Sequence, residues 1–230
     1  MNIEILEFVE GAKKATGLTV IIDVFRAFSV ACYASDAGAA KIIAVGDIKM
    51  AYELKKKLRN VVLVGEREEK RIEGFDFGNS PTEMIKANLY SKTVILTTTA
   101  GTNGLVNASN AKILLTGSFV NATATAKYIQ SLNPESVSLV AMGYRAAISA
   151  EEDLLCAEYI SAKLNDKESD FENRISNLRN SSGRRFFKPE NLDFSPPTDF
   201  FLCTMTDRFH FVLKAEKRFD GNFDLIRVDI

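Results

Sequence analysis

Leu18-Thr19-Val20-Ile21-Ile22-Asp23-Val24-Phe25-Arg26 decides the fold class. An apolar run without polar alternation, closed by a charge, is the pattern of a strand buried on both faces. Comparable runs recur at 41–45, 61–64, 93–97, 112–116 and 136–142. Helical stretches lie between them. Asp47 is placed to cap one whose apolar stripe is Met50, Leu54 and Leu58, and others fit 118–132 and 149–164. This strand–helix rhythm predicts an α/β protein, a three-layer α/β/α arrangement around a mainly parallel or mixed sheet.

The same strand enters a second comparison. Thr19-Val20-Ile21-Ile22-Asp23 is similar to Thr93-Val94-Ile95-Leu96-Thr97, and Ala40-Lys41-Ile42-Ile43 to Ala111-Lys112-Ile113-Leu114; Gly46 and Gly117 follow the second pair. Either an internal duplication or the chance likeness of short apolar strands accounts for this. Under duplication, Asp23 and Thr97 end equivalent strands. Residues 1–230 read as one domain. From 166 to 185 charge, Asn and Ser dominate, and Pro189, Pro196 and Pro197 follow. That composition predicts an exposed excursion near 165–198, with a helix over 168–178, before a last strand pair near 200–204 and 224–228.

Composition narrows the chemistry. The 230 residues carry 29 Lys+Arg and 30 Asp+Glu, a formal charge of −1. Near-neutrality argues against a nucleic-acid binder, whose affinity rests on many cationic contacts. The most apolar stretch, 18–34, contains Asp23 and Arg26, which argues against a membrane span. Met1-Asn2-Ile3-Glu4 lacks the basic start of a signal peptide. Cys32, Cys156 and Cys203 are odd in number and far apart, as free thiols in a reducing cytoplasm would be. One His and no Cys-x-x-Cys exclude a His-rich zinc site. His210, in Phe209-His210-Phe211-Val212, reads as a strand residue. Carboxylates, Arg, hydroxyls and a hard metal are left.

Phosphate-binding glycine motifs are missing, and so is the spacing of a cysteine phosphatase. Phe25 stands where an aspartyl-phosphate phosphatase wants its second Asp. Four clusters remain. At the end of the first strand, Asp23 can bind a metal and Arg26 an anion, or the two can be an ion pair and cap. Gly65-Glu66-Arg67 and Gly74-Phe75-Asp76-Phe77-Gly78-Asn79-Ser80-Pro81-Thr82-Glu83 form the second. Ser80 to Glu83 is a capping box with Pro at the first helical position, which leaves Asn79 and the glycines unexplained. Thr97-Thr98-Thr99-Ala100-Gly101-Thr102 is the third, a hydroxyl-rich turn suited to cradling phosphate. The fourth, Ser149-Ala150-Glu151-Glu152-Asp153, fits a capping box and also offers hard oxygens to Mg²⁺. Ser118 and Asn121 open another helix after a strand. Together these clusters point to a small anionic ligand, a phosphate, with Mg²⁺.

In this order the clusters resemble the 2-phosphosulfolactate phosphatase family. The resemblance runs through Asp23-Val24-Phe25-Arg26-Ala27, Gly65-Glu66-Arg67, residues 74–83, 97–102 and 117–121, and Glu152-Asp153. Phe25 and Phe28 stand where smaller or aliphatic residues are expected. The resemblance implies Mg²⁺-dependent hydrolysis of 2-phospho-3-sulfolactate to 3-sulfolactate and phosphate, a step of coenzyme M synthesis. Asp23, Glu66 and Asp153 are the expected metal acids, with Arg26, Arg67 and Glu152 completing the catalytic group. Asn79, Ser80, Thr98, Thr99, Gly101, Thr102, Ser118, Asn121 and Arg145 are the expected substrate contacts. A homodimer is the default assembly.

Overall fold

The computed structural model describes residues 1–167 and 170–230. Glu168 and Ser169, at the start of the helix expected over 168–178, lie outside the described residues. In chain order the elements are β1 (Asn2–Glu7), α1 (Phe8–Lys14), β2 (Gly17–Ile22), α2 (Ala27–Asp36), β3 (Lys41–Ala44), α3 (Ile48–Lys57), β4 (Val61–Arg67), β5 (Lys70–Arg71), α4 (Pro81–Met84), β6 (Thr93–Thr97), α5 (Gly101–Asn107), β7 (Ala111–Gly117), α6 (Ala122–Leu132), β8 (Ser136–Ala141), α7 (Glu151–Leu164), α8 (Phe171–Asn177), α9 (Pro197–Thr204), β9 (Phe211–Lys217) and β10 (Phe223–Asp229).

One ten-stranded mixed sheet runs β1-β8-β2-β7-β9-β10-β3-β6-β4-β5. β1, β8, β2 and β7 are mutually parallel, as are β3, β6 and β4. The β9–β10 hairpin joins the two groups through antiparallel pairings on both sides, so the groups run in opposite directions. Helix α2 carries the chain from β2 in one group to β3 in the other, and α5 carries it back from β6 to β7. The two similar sequence units thus occupy equivalent places about the hairpin, with Asp23 after one strand and Thr97 ending its counterpart.

Both sheet faces are covered, which is why the strands lack alternation. Ile21 belongs to a core with Phe28 and Val30 of α2, Leu105 of α5, and Ile42 and Leu96 of the other strand group. Its neighbours Val20 and Ile22 face the opposite side, against Ala126, Ile129, Cys156 and Ile160 of α6 and α7. Ile43, Leu63 and Ile95 pack on Ala51 and Leu54 of α3. Each such side chain contributes roughly 1.5–3 kcal/mol on burial. Phe28 is completely buried in the first core, while Phe25 turns to Phe186, ring centroids 5.0 Å apart.

The C-terminal region differs from the expectation in two ways: the stretch expected to be an exposed excursion buries Phe171, Ile175, Leu178 and Phe186 in the second core, and one element changes type. Residues 200–204 are the end of helix α9, not a strand. Pro197 begins this helix, where its missing N–H is no loss, and Asp199, Phe200 and Cys203 are buried at helical spacing. The hairpin partner of β10 is β9, beginning at Phe211. His210 precedes it, exposed, its carbonyl accepting from the Ile230 N–H.

Candidate active site

Asp23 leaves β2 at the beginning of the turn into α2, and its side chain caps that helix: Oδ1 accepts the Ala27 N–H at 3.1 Å. Gly101, at the start of α5, lies against the other oxygen of this carboxylate. Gly101 has to be glycine for this approach, since a Cβ there would lie 2.9 Å from Asp23 Oδ2 and 2.8 Å from Ala27 Cβ. Two helix starts from opposite strand groups therefore meet on one buried acid.

Asp153 lies in the first turn of α7 and joins the ends of two strands. Its Oδ1 accepts the Val24 N–H at 2.8 Å and its Oδ2 the Gly143 N–H at 2.9 Å. Gly143 has φ +71°, and a Cβ would meet the Ile148 carbonyl at 2.4 Å. Glu66, next to last in β4, has both oxygens engaged, Oε1 by the Thr99 N–H at 2.7 Å and Oε2 by the Glu69 N–H at 2.8 Å. Glu152, 5% exposed, keeps Oε2 without a hydrogen-bond partner.

These acids line one pocket with Phe25, Arg26, Glu68, Glu69, Asn79, Thr99, Ala100, Gly143, Tyr144, Arg145 and Arg185. Burial pushes the Asp23 carboxyl up to about 6, and the charges of Glu66 and Glu152 add to it against the helix N–H groups. Asp153 is pushed well above the usual carboxylate range by burial, then by Glu152 and Asp23. Burial also raises Glu152, with Arg185 opposing. The common cause is negative charge gathered out of water with few cations beside it.

Of the residues expected from sequence, the pocket brings together Asp23, Arg26, Glu66, Asn79, Thr99, Arg145, Glu152 and Asp153. Arg26 is buried and held: Nη1 donates to Asp199 Oδ2 and to the Phe194 carbonyl, both at 2.6 Å. Arg145 is exposed at the rim, 5.3 Å from the Tyr144 ring centre. The others are elsewhere. Arg67 bonds Thr97 Oγ1 and the Glu66 and Gly46 carbonyls. Ser80 caps α4 and donates to Asp199. Thr98 and Thr102 hydrogen-bond each other across the first turn of α5. Ser118 pairs with Ser29, and Asn121 donates to the Phe211 carbonyl. Gly101 stands behind Asp23.

Glu68, Glu69, Tyr144 and Arg185 are pocket residues that the sequence reading passed over. Arg185 comes from the excursion, whose charge and serine content hid it; the adjacent Phe186-Phe187 was the available signal that this stretch packs inward.

The fold and the pocket define an α/β protein with a carboxylate-rich site where strand ends meet helix starts. A family model described as 2-phosphosulpholactate phosphatase matches residues 4–217. The chain belongs to the 2-phosphosulfolactate phosphatase family, named for a phosphoric monoester hydrolase. It is 44% identical over 144 residues to a probable 2-phosphosulfolactate phosphatase of Caldicellulosiruptor saccharolyticus, covering 61% of this chain and 59% of that one. Probable 2-phosphosulfolactate phosphatases of Caldanaerobacter subterraneus and Bacillus subtilis are 34% and 33% identical, over 86% and 91% of this chain and 87% and 90% of theirs. No helix among the described residues is long and apolar enough to cross a membrane.

Proposed function

We propose that this protein hydrolyses 2-phospho-3-sulfolactate to 3-sulfolactate and phosphate with Mg²⁺, as in a coenzyme M-type pathway. The observation that carries this reading is the group of buried carboxylates Asp23, Glu66, Glu152 and Asp153 in one pocket.

The donors suit Mg²⁺ in kind. They are hard oxygens, their mutual repulsion calls for a cation, and Asn79 Oδ1 is buried there without a partner. Among the described residues no three acidic, His or Cys side chains come close enough to ligate one ion as a set. Mg²⁺ commonly takes one or two carboxylates and fills its shell with water and substrate phosphate. One or two of Asp23, Glu66 and Asp153 would hold it, with water and substrate phosphate filling the rest of its shell, and their backbone hydrogen bonds fix where the oxygens point. The bound ion supplies charge to the phosphoryl oxygens.

The chain's own part is positioning and proton transfer. Hydrolysis breaks the bond from phosphorus to the ester oxygen, forms one to the oxygen of water, and moves a proton from that water to the leaving alkoxide. Glu152 can take this proton, because Oε2 is free and burial raises its proton affinity. Thr99, whose Oγ1 is buried without a partner, can donate to the phosphate. Arg145 at the rim and Arg185 in the wall offer the charges that a polyanionic substrate needs. Cys32, Cys156 and Cys203 are free and buried, which supports a reducing compartment, the cytoplasm; a homodimer is proposed as the working form.

The test is phosphate release from 2-phospho-3-sulfolactate, 2-phospholactate and phosphoglycolate, with Mg²⁺ and with a chelator. The sulfonated substrate should turn over fastest, and only with Mg²⁺. Preference for either of the other two would move the assignment to another phosphorylated hydroxy acid. No release from any would make the pocket a binding site alone. Glu152→Gln should slow turnover by about 10²–10⁴-fold, the range of acid–base contributions.

A further inference from the structure

Two cavities share a wall at the mouth of this site. The inner one, at the acids, has a volume of about 40 Å³. That admits about three waters at roughly 10–15 Å³ each. The outer one has about 350 Å³ and is lined by Ser149, Ser182, Lys188 and Asn191. Glu69, Tyr144, Glu152 and Arg185 line both. Arg185 closes the wall: Nη1 pairs with Glu69, and Nη2 donates to the Phe25 carbonyl at 3.0 Å.

The pairing leaves a donor over. Arg185 Nε is buried without a partner. Arg26 is already committed to Asp199, so Arg185 is the inward-packed guanidinium with capacity to spare. Its backbone is fixed by the fully buried Phe186 and by Asn191 Nδ2, which donates to its carbonyl at 2.9 Å. Glu69 is fixed independently, on a turn where Glu68 and Glu69 have φ of +53° and +69° and the Glu69 N–H holds Glu66. Exchange of partners therefore needs side-chain movement only.

We infer that Arg185 is the receptor for the second acidic group of the substrate, and that Glu69 is the built-in competitor which that group displaces. This rests on the proposed function. A phosphate at the inner acids puts the rest of a small phospho-acid at the wall, and its carboxylate or sulfonate offers the guanidinium the same kind of oxygens that Glu69 does. Once Glu69 is displaced, inner and outer cavities become one space that accommodates the whole substrate. Glu69 then sets a threshold, because a phosphate ester without a second anion cannot take Arg185 from it.

Calorimetric titration of 3-sulfolactate and of inorganic phosphate, with Mg²⁺ present, tests this on the wild type, Arg185→Gln, Arg185→Lys and Glu69→Gln. Arg185→Gln should weaken 3-sulfolactate roughly 10–100-fold, the worth of a charge-assisted pair, and weaken inorganic phosphate distinctly less, since Arg185 also lines the inner cavity but phosphate brings no second acidic group to it. Arg185→Lys should fall between, and Glu69→Gln should bind 3-sulfolactate more tightly than wild type. Equal 3-sulfolactate affinity in wild type and Arg185→Gln, weaker binding in Glu69→Gln, or no binding to wild type would each overturn the inference. Should Arg185→Gln fail to fold, Glu69→Gln on its partly exposed turn decides the matter. Phosphate release is measured separately: 3-sulfolactate binding through Arg185 without hydrolysis would sink the phosphatase reading and leave the receptor standing.

Discussion

Arg26 and Asp199 form an ion pair of 2.6 Å with side chains only 3% and 0% exposed. It ties the turn after β2 to helix α9, which arrives from the far end of the chain. The other Asp199 oxygen accepts from Ser80 Oγ at 2.8 Å and the Thr82 N–H at 2.9 Å. One carboxylate thus joins three segments around the pocket. Asp199→Ala should destabilise the protein by about 3–5 kcal/mol, because Arg26 is left buried and uncompensated. Asp199→Asn should lose less, since an amide oxygen still accepts from Ser80 or Thr82. Equilibrium denaturation in urea measures both, and a loss below about 1 kcal/mol for the alanine variant would show that Arg26 finds another partner or water.

The segments that hold Asp199 show what the sequence could and could not convey. Strands β2, β3, β4, β6, β7 and β8 were legible because burial on both faces writes itself as an unbroken apolar run. Helix α9 was misread as a strand, since Phe200-Phe201-Leu202 is as apolar as a strand and only Asp199, with a partner remote in sequence, reveals its helical burial. The acids of the site were legible because they follow strand ends. Arg185 was not, because a long excursion reaches the pocket through tertiary contacts that no local pattern encodes. The place of the β9–β10 hairpin, between the two strand groups, is likewise a non-local fact.

Asp23 makes stability depend on pH in a definite direction. Its carboxyl is raised from 3.8 to about 6 in the folded protein. Between those values the folded state keeps a proton that the unfolded state releases, so stability falls as pH rises through this window. Asp153 and Glu152, raised by the same burial, act in the same direction. The chelated protein should accordingly melt several degrees higher near pH 5 than near pH 8, and Mg²⁺ at the higher pH should recover the difference. Asp23→Asn should flatten the profile, reduce the Mg²⁺ increment and cut turnover by orders of magnitude while folding normally. A melting temperature that rises with pH under chelation would mean that these acids are compensated by another cation.

Gly101 separates packing from catalysis. An added Cβ lies 2.8 Å from Ala27 Cβ and 2.9 Å from Asp23 Oδ2, so either α5 or the Asp23 carboxylate must shift. Gly101→Ala should cost about 1–3 kcal/mol in overpacking. It should also lower kcat more than its modest destabilisation explains, because a carboxylate displaced by a few tenths of an ångström no longer matches the site. Denaturation and steady-state kinetics on one preparation read both. A variant with wild-type kcat would place Asp23 outside the reacting geometry.

The threonine turn divides into a structural pair and one exposed to the pocket. Thr98 Oγ1 accepts the Thr102 N–H at 3.2 Å, and Thr102 Oγ1 accepts the Thr98 N–H at 3.0 Å while donating to the Thr98 carbonyl at 2.8 Å. These bonds close the first turn of α5, so Thr102→Val should cost about 1 kcal/mol or somewhat more, as a lost cap does. Its KM should remain near wild type. Thr99 Oγ1 has no partner within the protein and lines the pocket. Thr99→Val should leave stability nearly unchanged, since no internal hydrogen bond is lost, and should raise KM or lower kcat by roughly 10-fold, the effect of one hydrogen bond to a charged group. Denaturation and kinetics on the two variants should therefore split in opposite ways. Equal kinetic losses with equal destabilisation would show that the whole turn, and not Thr99 alone, faces the phosphate.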